Sequence, residues 1–162
     1  MNGYLYSINQ LLAQKTEINA KYARKLARIE RKLSNNKLES EIKTTAEQIN
    51  QIEKKRLSLT QEYEMVFGRN DEFNLKQLTL KQEKEETVLK RQSLIKERDS
   101  LLTEKLNLNN FLTTLDSLPD QLTKFSAKTL TATIDKITVS QTTITYYFYG
   151  NEAVKVKVDD IK

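Results

Sequence analysis

The chain contains no cysteine, no histidine and no tryptophan, and only three glycines and one proline in 162 residues. Without cysteine there is no disulfide, and without cysteine or histidine there is no zinc site of the usual kind. Histidine general-base and cysteine-nucleophile chemistry are excluded as well. Three scattered glycines cannot build a phosphate-binding loop. No apolar run approaches the ~20 residues that span a bilayer. The start, MNGYLYSINQ, lacks the basic and apolar regions of a signal peptide. A soluble protein of the cytoplasm is the expectation.

What the chain has is helix-forming sequence. Lys, Glu, Leu, Gln and Arg fill its middle, as long exposed helices require. Charged residues make up 30% and hydrophobic ones 38%, so the core is thin. The formal net charge is +5. Residues 1–37 carry most of it: Lys15, Lys21, Arg24, Lys25, Arg28, Arg31, Lys32 and Lys37 face only Glu17 and Glu30. Arg24, Lys25, Arg28, Arg31 and Lys32 recur at helical spacing. They are the candidates for contact with a DNA backbone, against the plainer reading of a solvated helix face.

Apolar residues recur in steps of three and four from Tyr4 to Val66, the spacing of a helix seam. Leu5, Ile8 and Leu12 are followed by Tyr22, Leu26, Ile29 and Leu33. Past Ser34-Asn35-Asn36 the seam restarts in another phase with Ile42, Ala46, Ile49, Ile52, Arg56, Leu59, Tyr63 and Val66. Such a phase change predicts a bend or junction near residues 34–38. Phe67–Asn74 predicts a turn: Gly68 suits a helix C-terminus, and Asn70 or Asp71 can cap the next helix. A second arm runs from about Phe73 to Leu115. Its seam is read as Leu75, Leu78, Val88, Ile95 and Leu102, beside a second row of Leu94, Leu101, Leu108 and Leu115. Residues 79–92 are nearly all polar, which predicts a slender outer hairpin. At 1.5 Å per residue the second arm spans ~60 Å, shorter than the first. The N-terminal helix therefore needs another partner.

Leu118-Pro119-Asp120 ends the second arm, because proline cannot continue a helix. Ser126 is the expected N-cap of a short helix from Ala127 to about Asp135. The period then falls to two. Ile137 and Val139, then Ile144, Tyr146 and Phe148, then Val154, Val156 and Val158 alternate with polar residues, with a turn at Gly150-Asn151. Tyr147 and Tyr149 fall on the other face, beside Lys155 and Lys157; a basic, aromatic face of this kind can stack nucleic-acid bases, but ordinary sheet surface covered by another element is the expectation. The fold class is mainly α: a long antiparallel helical hairpin (coiled coil) with a small C-terminal α+β subdomain of a short helix and a three-stranded antiparallel sheet. The expected divisions are 1–35, an N-terminal helix on the base; 36–116, the hairpin with its tip at 67–74; and 117–162, the base.

No catalytic constellation is visible, so no enzyme activity, cofactor or metal is expected of this chain. Adjacent acids such as Glu85-Glu86 and Asp159-Asp160 are read as solvated. The tip is the candidate site for protein contact, with Val66, Phe67, Gly68, Phe73 and Leu75 placing apolar area at the end of a long arm. The same phenylalanines can instead clamp the turn.

The order of parts resembles the C-terminal end of the large serine recombinases, the phage serine integrases. The resemblance rests on the charged second arm (LTLKQEKEETVLKRQSLIKERDSLL), on the helix running into alternating strands (TLTATIDKITVSQTTITYYFY), and on Tyr63 to Phe73 with Gly68 as the turn. It covers about residues 20–162. It implies a coiled-coil motif inserted in a zinc-ribbon domain, of which this chain holds only the remnant. The family's catalytic serine domain and ribbon cysteines are missing. The role implied is contact with other integrase subunits through the coiled coil in site-specific DNA recombination, redirected by a small phage directionality factor, in a bacterial host cell. Two alternatives stay open. One is a nucleic-acid-binding arm similar to the helical hairpin of seryl-tRNA synthetase; the other is a purely structural coiled-coil oligomer.

Overall fold

The computed structural model describes residues 2–67, 70–149 and 152–161, and the side chains of all of these except 2, 66, 67, 160 and 161. The fold is mainly α. Helices α1 (Asn2–Leu12), α2 (Lys15–Ser34), α3 (Lys37–Glu62), α4 (Asp71–Ser117) and α5 (Ala127–Thr133) precede strands β1 (Ile134–Val139), β2 (Thr143–Phe148) and β3 (Ala153–Lys157). The chain forms two compact units, Met1–Glu30 with Leu102–Lys162, and Arg31–Leu101.

The first unit holds the larger core. Tyr4, Ile8 and Leu11 of α1, Ile18 and Tyr22 of α2, Leu108, Phe111 and Leu115 of α4, and Tyr146, Phe148 and Val156 of the sheet are all buried. The rings of Tyr22 and Phe111 meet edge to face at 5.9 Å. Polar links tie the connections down. The Asn9 side chain donates to the Leu122 carbonyl and accepts from its N–H. Lys15 donates to the carbonyls of Asp116 and Leu118, a cation at the C-terminus of α4. The Tyr22 hydroxyl donates to Glu152, which Lys21 also pairs. Burial is the main cause that raises the Tyr22 pKa, and the Glu152 carboxylate adds to it. Ser126 caps α5 by accepting from the Thr129 N–H, as expected. The sheet is an antiparallel meander in the order β1-β2-β3. Its helix ends at Thr133 rather than near Asp135, and Val158 lies in a 3-10 turn rather than in β3.

The first arm breaks twice. The break between α2 and α3 falls at Asn35-Asn36, within the residues where the seam changes phase. Asn36 adopts φ 48°, a left-handed conformation that asparagine tolerates better than most residues. The break between α1 and α2, at Ala13-Gln14, has no glycine or proline to announce it.

In the second unit α3 runs antiparallel to α4. Partners advance along one helix as they retreat along the other: Tyr63 meets Phe73, Arg56 meets Gln77, Glu53 meets Lys84, and Glu39 meets Arg98. The inward side of α4 is only partly the expected one: Val88 and Ile95 of the expected seam and Leu94 and Leu101 of the row beside it are half-buried. Leu75, Leu78 and Leu102 are exposed, while Leu80, Leu94 and Leu101 join buried Phe73 on the facing side. The reason lies in the neighbouring column of the same face, Gln77, Lys84, Arg91 and Arg98. It is polar and so does not mark itself as a seam.

Candidate protein-docking surface of the hairpin

The far end of the second unit is closed by a small clamp. Residues Tyr63–Phe67 form one π-helical turn at the end of α3. Across from it, the Asn70 side chain accepts the Phe73 N–H at 2.9 Å and caps α4. Tyr63 and Phe73 are both buried, with ring centroids 5.3 Å apart. Lys76 donates to the Tyr63 hydroxyl at 3.3 Å and pairs with Glu72 at 2.6 Å. The hydrogen bond to Lys76 holds the Glu72 carboxyl below its ordinary value, and the bond to Glu72 raises Lys76.

This geometry divides the expected contact residues. Phe73 is turned inward and clamps the turn, the second of the two expected readings, and so adds no exposed apolar area of its own. Its buried ring gives more stabilisation against Tyr63 than it could in water. Leu75 is 65% exposed and points outward. The side chains of Val66 and Phe67, and Gly68 altogether, lie outside the described residues.

Leu75 does not stand alone. It lines an open groove of about 650 Å³ with Leu59 of α3 and with Lys76, Thr79 and Leu80 of α4. Lys54, Lys55, Ser58 and Glu62 form the rest of the wall. Lys54 and Lys55 have no ion-pair partner among the described residues, so the rim is basic around an apolar floor. Leu57, Met65 and Leu78 are also exposed nearby in sequence, at 61%, 87% and 51%. Single exposed apolar side chains are ordinary, and it is the contiguous apolar floor of the groove that marks an interaction surface. The groove was not read from sequence because Leu59 and Leu80 meet Leu75 only once the register of the two arms is known. The seven-residue row from Phe73 through Leu80, Leu94 and Leu101 is the signal that would have located it.

The expected DNA-contact residues fall in both units. Arg24, Lys25 and Arg28 lie on α2 in the first, around an open cleft shared with Glu17, Ala20, Lys21 and Tyr22. Lys25 is paired with Glu104 at 2.6 Å, which neutralises the middle of the stripe. Arg24 and Arg28 are exposed and have no ion pair among the described residues. Arg31 and Lys32 belong to the second unit, where Lys32 borders a cleft with Leu38, Leu94 and Leu101.

Among the described residues no group of acids is placed to hold a metal ion, and no helix is long and apolar enough to cross a membrane. No protein-family model matches the chain, and no curated protein or solved structure matches it either.

Proposed function

We propose that the chain is a protein-docking arm that makes subunit contacts in a serine-integrase-like recombination assembly, and that it does no chemistry itself. The observation that carries the reading is the groove beside the clamp, with Leu75 at 65% exposure over Leu59 and Leu80. A polar shaft that buries little, ending in an exposed apolar groove, concentrates contact energy at the far end of the second unit. The resemblance of the second arm and the C-terminal strands to the serine integrases supplies the context. There, other subunits and a small directionality factor are the partners, and DNA is met through the parent protein. A contact of this size is switchable, because a partner need favour one state by only ~1–3 kcal/mol.

The test is sedimentation over a wide concentration range. The wild-type chain is expected to associate as its concentration rises, and Leu75→Glu to remain monomeric with unchanged helicity. A wild-type chain that stays monomeric throughout, or a Leu75→Glu variant that associates equally well, contradicts the reading.

A further inference from the structure

The β-sheet has two faces with different chemistry. One carries Tyr146, Phe148 and Val156, all buried, and Tyr146 lies against Tyr4 of α1 with centroids 6.3 Å apart. The pleat sends the alternate residues to the opposite side. The strand register assembles them into rows there: Lys136 beside Tyr147 beside Ala153, then Thr138 beside Thr145 beside Lys155, then Thr143 beside Lys157. No acid stands at any of these paired positions. In sequence the acids that adjoin these strands are Asp135, at the bulge in β1, Glu152, which Lys21 and Tyr22 engage, and exposed Asp159, just past β3. Lys136, Lys155, Lys157 and Ala153 are exposed and Tyr147 is half-buried. None of the three lysines has an ion pair among the described residues.

We propose that this face is a platform for single-stranded nucleic acid. The charge is of one sign, which suits a polyanion. Lys155 and Lys157 lie two residues apart on β3, about 7 Å along the strand, so they can follow successive phosphates of an extended chain. Tyr147 offers a ring between them and Lys136. The small side chain of Ala153 beside it leaves that ring uncovered for a base to stack on. Thr145 is buried between its cross-strand neighbours, and the half-buried Thr138 and Thr143 hydroxyls supply donors and acceptors without selecting a sequence. A duplex hides its base faces, so the single strand is the form that this arrangement favours. The site lies wholly in the first unit and does not depend on the hairpin groove.

The test is fluorescence anisotropy of a labelled oligothymidylate with the full chain at low salt. Binding is expected, with a duplex or heparin competing weakly. Tyr147→Ala should weaken it about fivefold or more, and Tyr147→Phe should leave it unchanged, because stacking needs the ring and not the hydroxyl. Lys155→Gln with Lys157→Gln should weaken binding and flatten its salt dependence by about 1.4 in logarithmic slope. The proposal is overturned if the oligonucleotide does not bind, or if Tyr147→Ala binds as tightly as wild type. Competition by heparin equal to that of the single strand overturns it too. So does loss of binding on Arg24→Gln with Arg28→Gln while the sheet variants stay unaffected.

Discussion

The two units are held together in different ways. The first buries Tyr22, Phe111, Phe148, Ile8, Leu108 and Leu115 almost completely, and its strands and helices share that core. Among its described side chains the second buries only Ile42, Thr45, Ile52, Tyr63 and Phe73. Beside that row stand Arg91 and, joined to Arg56, Glu53 and Glu39 across the seam, Gln77, Lys84 and Arg98. Burial of apolar area contributes far more than partly exposed ion pairs, whose median worth is below ~1 kcal/mol. The contrast teaches that hairpin geometry does not require an apolar core along its whole length. A clamp at the far end and a polar ladder keep the register, at a lower local stability.

The sharpest way to break the contrast is to remove one core residue from each unit. Phe111→Ala should cost about 3–5 kcal/mol in thermal or denaturant unfolding, because Phe111 is fully buried and contributes a large ring to the core. Phe73→Ala should cost about 3 kcal/mol. Its effect should appear as faster amide exchange in residues 57–80, with the first unit still protected. Equal loss of protection throughout the chain would mean that the units are not separately stable.

A gain comes next. The Arg91 Nε is buried without a hydrogen-bond partner among the described residues. Arg91→Leu should stabilise the second unit by about 1 kcal/mol, since an unsatisfied donor is removed and the seam gains a leucine. A melting temperature below that of wild type would show that the guanidinium supports the seam.

The smallest effect is electrostatic. Lys84, by its hydrogen bond above all, holds the Glu53 carboxyl below its ordinary value. The lowered pKa means that the folded hairpin binds a proton at Glu53 less readily than the unfolded chain does. This contribution is therefore present above the ordinary carboxylate value and is lost as pH falls through the lowered one. The hairpin helices should melt at lower temperature in acid, by backbone NMR, and Glu53→Gln should flatten part of that dependence. Lys84→Ala at neutral pH should lower the melting temperature only slightly, as for other solvent-screened ion pairs. A larger loss would mark the ladder as a main source of stability.

Much of this architecture was legible in the residues. The α3 seam, the Ser126 cap and the alternation of β2 follow from local spacing, which needs no knowledge of partners. The inward face of α4 did not, because two apolar rows compete there and the true face has polar residues (Gln77, Lys84, Arg91, Arg98) in half its positions. Exposed Leu75 and Leu78 were therefore placed in the seam. The Ala13-Gln14 break was missed because no glycine or proline marks it. At the candidate site, Leu75 is exposed as a contact residue requires, and of the two readings of Phe73, knob or clamp, the clamp is the one its burial fits. Its inward turn depends on Tyr63, ten positions earlier, and only the antiparallel register brings the two rings together.

The absence of native cysteine allows the most direct test of the docking surface. Leu75→Cys introduces one thiol at the groove, and Lys96→Cys introduces one at an exposed position away from it. Under mild oxidation the first is expected to form a covalent dimer quickly and the second slowly. Equal rates for the two variants, or no dimer from Leu75→Cys, would contradict a subunit contact at this groove.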